Sequence, residues 1–409
     1  MEWGFTMIRL GCSADLQLDT KRLTAGALDL DAATGINRRL LNTARCWAAF
    51  CEQAKELHTD LNVCAGDIFE RPRPTPLEMK LLFEPLDAMF ADPLAAPMIM
   101  CDGNHDLPFS LVEESALVAL RDRYRKLHVH HQPALYRIPV QGTELQVAVL
   151  PFPRRAGISL KEANRDLSPQ AITDRIARGV EIILDGFRAE LDPTLPSVLV
   201  THLTVGESRI SEAQPSVPME MGAIPQHVFR GFTLTVAGHI HARQEFIGED
   251  YHILVPGSMD RVDVSEERED KSWSLVTLAQ VGGRWTVSSV EPQPLPARIF
   301  CTLTPSDVRL LDLDEANLSR LLADQPILRV KGHVTPTEAE EILKITGSWR
   351  VPVANALEVE RETRARDATM TGDLSPERAL RAHLEKSGDP QEEIDALLAL
   401  HGDIAGQER

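Results

Sequence analysis

The sequence has no apolar run near the roughly 18 residues a membrane-spanning helix needs. Its opening residues also lack the apolar stretch of a secretory signal, so a cytoplasmic chain with no membrane role is expected. The six cysteines (Cys12, Cys46, Cys51, Cys64, Cys101, Cys301) form no CxxC pair, and several sit in apolar runs. They read as reduced core residues rather than disulfides or zinc ligands. Internal repeats and low-complexity tracts are missing too. Positive charge is scarce: 43 lysines and arginines against 61 acidic residues leave −18 over 409 residues. The deficit is spread, −7 from residue 297 onward and −11 before it, so no acidic tail masks a basic core. Such a balance argues against gripping nucleic acid over the whole surface, because phosphate binding rests on Lys and Arg contacts.

What is present is a chain long enough for two or three domains, 43% hydrophobic and 25% charged. As far as about residue 291 one pattern recurs: a short apolar run, then a polar loop of Asp, Asn, His and Gly. The runs are Met7–Leu10, Leu61–Ala65, Met98–Cys101, Leu145–Leu150, Val198–Thr201, Leu234–Ala237 and His252–Val255. Apolar throughout rather than alternating, they read as strands buried on both faces. Helical spacing between them, over about Ile36–Leu57 and Ser168–Leu191, gives an α/β layered domain. Its ligands should gather at the carboxyl ends of the strands. Prolines 292, 294 and 296 suggest a linker, which sets domains at 1–296, 297–361 and 362–409. The middle piece fits β-α-β-α-β, with one helix to about Ala323 and a second capped by Thr335, Pro336 and Glu338. After a charged segment (Arg361–Asp373), two short helices close the chain, starting at Ser375-Pro376 and Asp389-Pro390.

The loops after the runs hold Asp15-Leu16-Gln17, Gly66-Asp67, Gly103-Asn104-His105-Asp106, Thr201-His202 and Gly238-His239-Ile240-His241. Carboxylates, an amide carbonyl and imidazoles together suit a first-row divalent metal, Mn, Fe or Zn rather than an all-oxygen magnesium site. His128, His130 and His131 read as edge-strand or surface histidines, and the acidic Ser265–Asp270 stretch as a solvated turn.

This ordered set resembles the calcineurin-like metallophosphoesterases, whose pattern is D-x-H, G-D, G-N-H-[DE], H and G-H-x-H, each after a strand. Gly-Asp-Ile-Phe-Glu-Arg-Pro-Arg-Pro (66–74) and Val-Pro-Gly-Ser-Met-Asp-Arg (255–261) narrow the resemblance to the SbcD-type DNA-repair nuclease subunits. It implies a layered sandwich with a small α/β capping domain and C-terminal helices that dock on a partner. It also implies two divalent ions, usually manganese, bridged by Asp67. Asp15, His241 and residue 17 would hold one; Asn104, His202 and His239 would hold the other. His105 would protonate the leaving oxygen or stabilise the phosphorane, with Asp106 orienting its ring. The departure is Gln17, where the family usually has His; its carbonyl is a weaker ligand, and the first ion is expected to bind less tightly. The implied activity is exonuclease and endonuclease cleavage of DNA ends, hairpins or single strands. The chain would act as a homodimer with an SbcC-type coiled-coil ABC ATPase. Arg71, Arg73 and Arg243 are candidate DNA contacts, as are Arg154 and Arg155. Two other readings stay open: a phosphoesterase for a small phosphodiester or phosphoprotein, and a weakly active scaffold at DNA ends.

Overall fold

The computed structural model describes residues 7–24, 26–108, 114–120, 123–153, 168–210, 214, 222–360, 380–381, 384–385 and 390–398. The chain divides into two compact units, 1–332 with 338–358 and 333–337 with 359–409. The larger begins with β1 (Met7–Ser13), β2 (Leu61–Cys64), β3 (Met98–Cys101), β4 (Leu127–His130), β5 (Ala134–Val140) and β6 (Thr143–Leu150). It continues with β7 (Ser197–His202), β8 (Leu234–Gly238), β9 (Gln244–Ile247), β10 (His252–Val255), β11 (Ser272–Val281) and β12 (Arg284–Pro294). One sheet runs β12-β11-β1-β2-β3-β4 and the other β5-β6-β7-β8-β10-β9. The inner strands of each are parallel, and the antiparallel pairings are confined to β11 and β12 in the first and to β5 and β9 in the second.

Two-residue periodicity sorts the side chains. Val198 and Val200 of β7 join Leu10, Val63 and Ile99 in a core between the sheets, while Leu199 faces the other way. The outer faces are covered by α1 (Arg38–Glu56), α2 (Pro76–Phe90) and α3 (Pro169–Glu190). Trp47 and Phe50 of α1 are fully buried, with Trp273 of β11 edge-on to Phe50 at 5.3 Å. Cys12, Cys46, Cys51, Cys64 and Cys101 lie unpaired in this interior, and burial pushes their thiol pKa values up.

A three-stranded sheet follows, β13 (Phe300–Leu303), β14 (Ile327–Val334) and β15 (Val353–Val359), around Val308, Leu328, Val330, Ile342 and Trp349. The single helix expected up to Ala323 is two, α4 (Pro305–Leu313) and α5 (Glu315–Leu322). Asp314 breaks it: at φ −123° its carboxylate accepts the Asn317 N–H and starts a new helix. The next, α6 (Pro336–Gly347), begins at the expected proline. The linker reading of 292–296 also needs correction, because Pro292 and Pro294 pair with β11 as the last residues of β12. That strand is an edge, the place in a sheet where proline is tolerated. Within the first unit, Arg298 forms a buried 2.6 Å ion pair with Asp29, and the Arg39 guanidinium lies 4.9 Å over the Phe300 ring.

In the smaller unit, residues 391–398 are helical, with Ile394 and Leu398 buried. Most of the helix expected from Ser375, and the charged segment before it, lie outside the described residues, as do Arg154 and Arg155. No helix among the described residues is long and apolar enough to cross a membrane.

Candidate metal centre

Every candidate ligand stands at a strand's carboxyl end. Asp15 and Gln17 follow β1, Asp67 follows β2, Asn104 follows β3, His202 ends β7, and His239 and His241 follow β8. Backbone bonds stitch the loops together, Asp15 N–H to Gly66 O at 3.1 Å and Gln17 N–H to Asp67 O at 2.9 Å. The cost is local: Asp15 (φ 51°), Gln17 (50°), Asp67 (53°) and His239 (96°) all take left-handed backbone. Each such residue stores on the order of 1–3 kcal/mol, tolerable only where the surroundings over-determine it. Two glycines are obligatory for packing. A Cβ on Gly103 would fall 2.0 Å from Asp67 Oδ1, and one on Gly238 1.9 Å from Ala65 O.

Asp67, His202 and His239 bring ligand atoms within 4.8 Å of one another, and all three are buried. Asn104 Oδ1 completes the set, 3.1 Å from His202 Nε2 and 3.0 Å from His239 Nδ1, while His202 Nε2 is 3.3 Å from Asp67 Oδ2. The His202 Nδ1–H donates to Ala65 O at 2.7 Å, which fixes the ring and aims Nε2 at the cluster. Burial works against a charged His202, yet Asp67 outweighs it and lifts the pKa to about 9. His239 goes the other way, held neutral at about 3 by burial and by the charge of His202. A proton on His202 Nε2 therefore stands among oxygens and a ring nitrogen where a cation fits, and the other nitrogen of His239, Nε2, is buried without a partner. The donor set suits a divalent ion.

Asp15 and His241 lie beside this cluster. Asp15 accepts the His239 N–H at 3.0 and 3.2 Å, and burial pushes its pKa up. His241 Nδ1–H donates to Glu266 Oε1 at 3.0 Å, and its Nε2 is 3.1 Å from the Gln17 amide nitrogen. The Gln17 oxygen accepts from Arg22 at 3.3 Å. Because a guanidinium only donates, this contact decides the amide's orientation: oxygen to Arg22, NH₂ to His241. The carbonyl expected to coordinate is turned away from the other donors.

Other expectations change as well. Asp106 does not touch the His105 ring. Its carboxylate accepts the N–H groups of Ile68, Phe69 and Gly103 at 2.9–3.2 Å and so ties two ligand loops together. Burial, with Asp67 and Asp102 nearby, raises its pKa to about 8. The His105 ring instead donates from Nδ1 to the Glu70 carbonyl at 3.0 Å, and its Nε2 is 4.0 Å from Asp67 Oδ2. Burial opposes the charged ring, but Asp67 and Glu70 raise its pKa. The Ser265–Asp270 stretch is not simply solvated, because Glu266 is fully buried. His128 and His130 do fall on an edge strand, β4, and His131 pairs with Asp102 at 2.8 Å.

Of the candidate DNA contacts, Arg71 is half exposed and 3.8 Å from Asp19, and Arg73 has interactions of its own. Arg243 is committed to Glu245 at 2.7 Å and to Ser274 at 3.2 Å. Three other arginines, Arg209, Arg268 and Arg329, line a cleft of about 450 Å³ with Glu267, Glu269 and Ala242, the residue after His241. Nothing in their spacing marks them, since they come together only through the fold. Gln214 was equally hidden; it accepts the His241 N–H at 3.0 Å and donates to His239 O at 2.8 Å, bracing both ligands.

The model of the calcineurin-like phosphoesterase family matches residues 14–243, which span every one of these ligands. Among solved structures, the chain is similar to a phosphopantetheinyl hydrolase from Mycobacterium tuberculosis, at 15% identity and a TM-score of 0.35, covering 69% of this chain and 96% of that one. It is also similar to a dimetal phosphatase from Danio rerio, at 11% identity and a TM-score of 0.37, covering 70% and 98%. A third, the TT1561 protein of Thermus thermophilus, shares 13% identity at a TM-score of 0.38, covering 69% and 99%. Likenesses at this level say nothing about substrate.

Proposed function

Because the chain belongs to the calcineurin-like phosphoesterase family and is a metal-dependent phosphoesterase, we propose that its substrate is DNA and that it is an SbcD-type nuclease subunit. Manganese is the proposed ion, and a second copy of the chain and an SbcC-type ATPase are the proposed partners. The observation that carries the reading is the cleft of Arg209, Arg268 and Arg329 beside the last ligand loop. Guanidinium groups suit bidentate contacts to a phosphate backbone. The 66–74 stretch supports it on sequence, and the three-stranded domain after β12 by architecture.

A divalent ion at Asp67, Asn104, His202 and His239 supplies positive charge for a phosphoryl oxygen and lowers the pKa of water there. The chain's own residues do the rest. Asp67 and Glu70 favour the charged form of the His105 ring, and its Nδ1–H is spent on the Glu70 carbonyl, so Nε2 is the nitrogen left to deliver a proton to the leaving oxygen. The Asp67 carboxylate accepts the His105 backbone N–H at 2.9 Å, which fixes this acid relative to the ion's ligands. Asp106 serves as a positioning residue. With −18 overall, the isolated chain should bind DNA weakly and salt-sensitively.

The test is cleavage of linear and hairpin DNA by the purified chain with manganese, beside a nitrophenyl phosphodiester. Cleavage of both, abolished in His105→Ala, is expected. Turnover of the small ester with intact DNA would overturn the nuclease reading in favour of a small-molecule phosphodiesterase. The scaffold reading draws on the turned Gln17 oxygen; DNA-end binding with neither substrate cleaved would favour it.

A further inference from the structure

The cluster of Asp67, Asn104, His202 and His239 and the group around His241 differ in what they leave unsatisfied. In the first, donor atoms of Asp67, Asn104, His202 and His239 converge, and the Asp67 and Asn104 oxygens crowd one ring nitrogen, His202 Nε2. In the second, the donors already satisfy one another in a directed chain. Arg22 donates to the Gln17 oxygen (3.3 Å), and the Gln17 NH₂ donates to His241 Nε2 (3.1 Å). His241 Nδ1–H then donates to Glu266 (3.0 Å), which also holds Lys271 at 2.7 Å. Each link fixes the next. Glu266 forces the proton onto Nδ1, so Nε2 presents its lone pair, and the Gln17 NH₂ caps it. Arg22 is itself pinned by Glu70 at 2.5 Å, and its side chain is only 11% exposed. The oxygen of Gln17 cannot turn to a cation without presenting its NH₂ to a guanidinium that has no acceptor. Asp15, the remaining donor, accepts the His239 backbone N–H and keeps further lone pairs, so it is Gln17 and His241 that are already committed. The residues present therefore do not fit the first of the two ions that the family resemblance implies.

We propose that this chain holds one divalent ion, at Asp67, Asn104, His202 and His239, and that the position of the other is filled by the chain of bonds from Arg22 to Glu266. Arg22, itself paired with Glu70, then holds the Gln17 amide in that orientation. The proposal rests on the phosphoesterase reading but not on DNA as substrate.

The experiment is a count. The full chain is dialysed to equilibrium against Mn²⁺ over a wide range, with bound metal measured by atomic absorption and manganese EPR recorded on the same samples. One ion per chain and no spin-coupled pair are expected. Two ions, or the multiline signal of a coupled pair, in the unaltered chain would overturn the proposal. In the double variant Gln17→His, Arg22→Ala, the imidazole replaces the amide and the guanidinium is gone, so the count should rise to two. A count that stays at one would show that these residues do not close the site. His239→Ala should bring the count to zero, and one ion retained there would refute the placement. No substrate enters these measurements, so a chain with one ion and no nuclease activity removes the DNA reading and leaves this one standing.

Discussion

Replacing Glu266 tests how the His241 loop is held. The carboxylate is fully buried and accepts from His241 Nδ1 at 3.0 Å, the Val262 N–H at 3.0 Å and Ser258 Oγ at 3.3 Å, with Lys271 Nζ at 2.7 Å. Lys271 is as deeply placed, its side chain 3% exposed, and without Glu266 keeps only Glu269, at 2.7 Å and 29% exposed, as a counter-charge. Breaking a buried pair on one side costs about 3–5 kcal/mol, mostly from the charge left behind. An independent route gives the same size. Burial raises the Glu266 pKa, but the His241 hydrogen bond and Lys271 overcome it and hold it at about 2 against 4.5. At about 1.4 kcal/mol for each tenfold change, that difference is on the order of 3 kcal/mol. A folded pKa below the unfolded one stabilises above the unfolded value, and the effect is lost as pH falls through the folded one. Glu266→Ala should therefore lower unfolding free energy by about 3 kcal/mol at pH 7, with the gap from the unaltered chain closing between pH 4.5 and about 2. Chemical denaturation followed by circular dichroism reads both. Adding Lys271→Met should recover part of the loss, because the stranded ammonium goes with it. A loss below about 1 kcal/mol at pH 7, or a gap that ignores pH, would refute the reasoning.

Three further outcomes follow from the site. Gly103→Ala places a methyl group 2.0 Å from Asp67 Oδ1 and 2.4 Å from its backbone nitrogen, so metal binding measured by dialysis should fall at least tenfold; unchanged affinity would contradict the packing. His105→Ala should cut kcat on a phosphodiester by roughly 10²–10⁴ while leaving the metal content intact, and a loss of metal instead would assign the ring to the ligand set. In the metal-free chain the raised His202 pKa contributes stability below about 6.5 and loses it as pH rises through about 9. An ion must displace that proton, so apparent Mn²⁺ affinity should climb about tenfold per pH unit from 6.5 to 8.5, and a flat profile by titration calorimetry would count against the site.

The ligand loops were legible because each follows a short run buried on both faces, a pattern with few competing readings in Leu61–Cys64 or Val198–His202. β5 was not. As an edge strand it is half exposed and contains Pro139, so it offers neither a continuous apolar run nor a clean alternation. α2 carried its own start signal, the Thr75–Glu78 capping box with Pro76, but Pro85 inside the helix obscured its course. Glu266 was misread because a buried acid and a solvated one look alike in sequence until the partner, here His241 and Lys271, is placed by the fold. The orientation of Gln17 lay beyond reach for the same reason, since one hydrogen bond from Arg22 decides it. Asp106 shows a subtler limit: the family resemblance implied a contact with the His105 ring, whereas the carboxylate takes the N–H groups of Ile68, Phe69 and Gly103.

The prolines that end β12 settle how this sheet meets other chains. The Leu295 N–H bonds inward to Lys271 O at 3.0 Å, so alternation turns positions 292 and 294 outward, and these are the two prolines. An open sheet edge is a template on which a stray strand can polymerise, and it recruits through outward-facing N–H groups. Here that end of an 11-residue edge offers none at those two positions. Strand addition is weakened there, because an incoming strand would meet backbone carbonyls at that end but no N–H donors at those two positions.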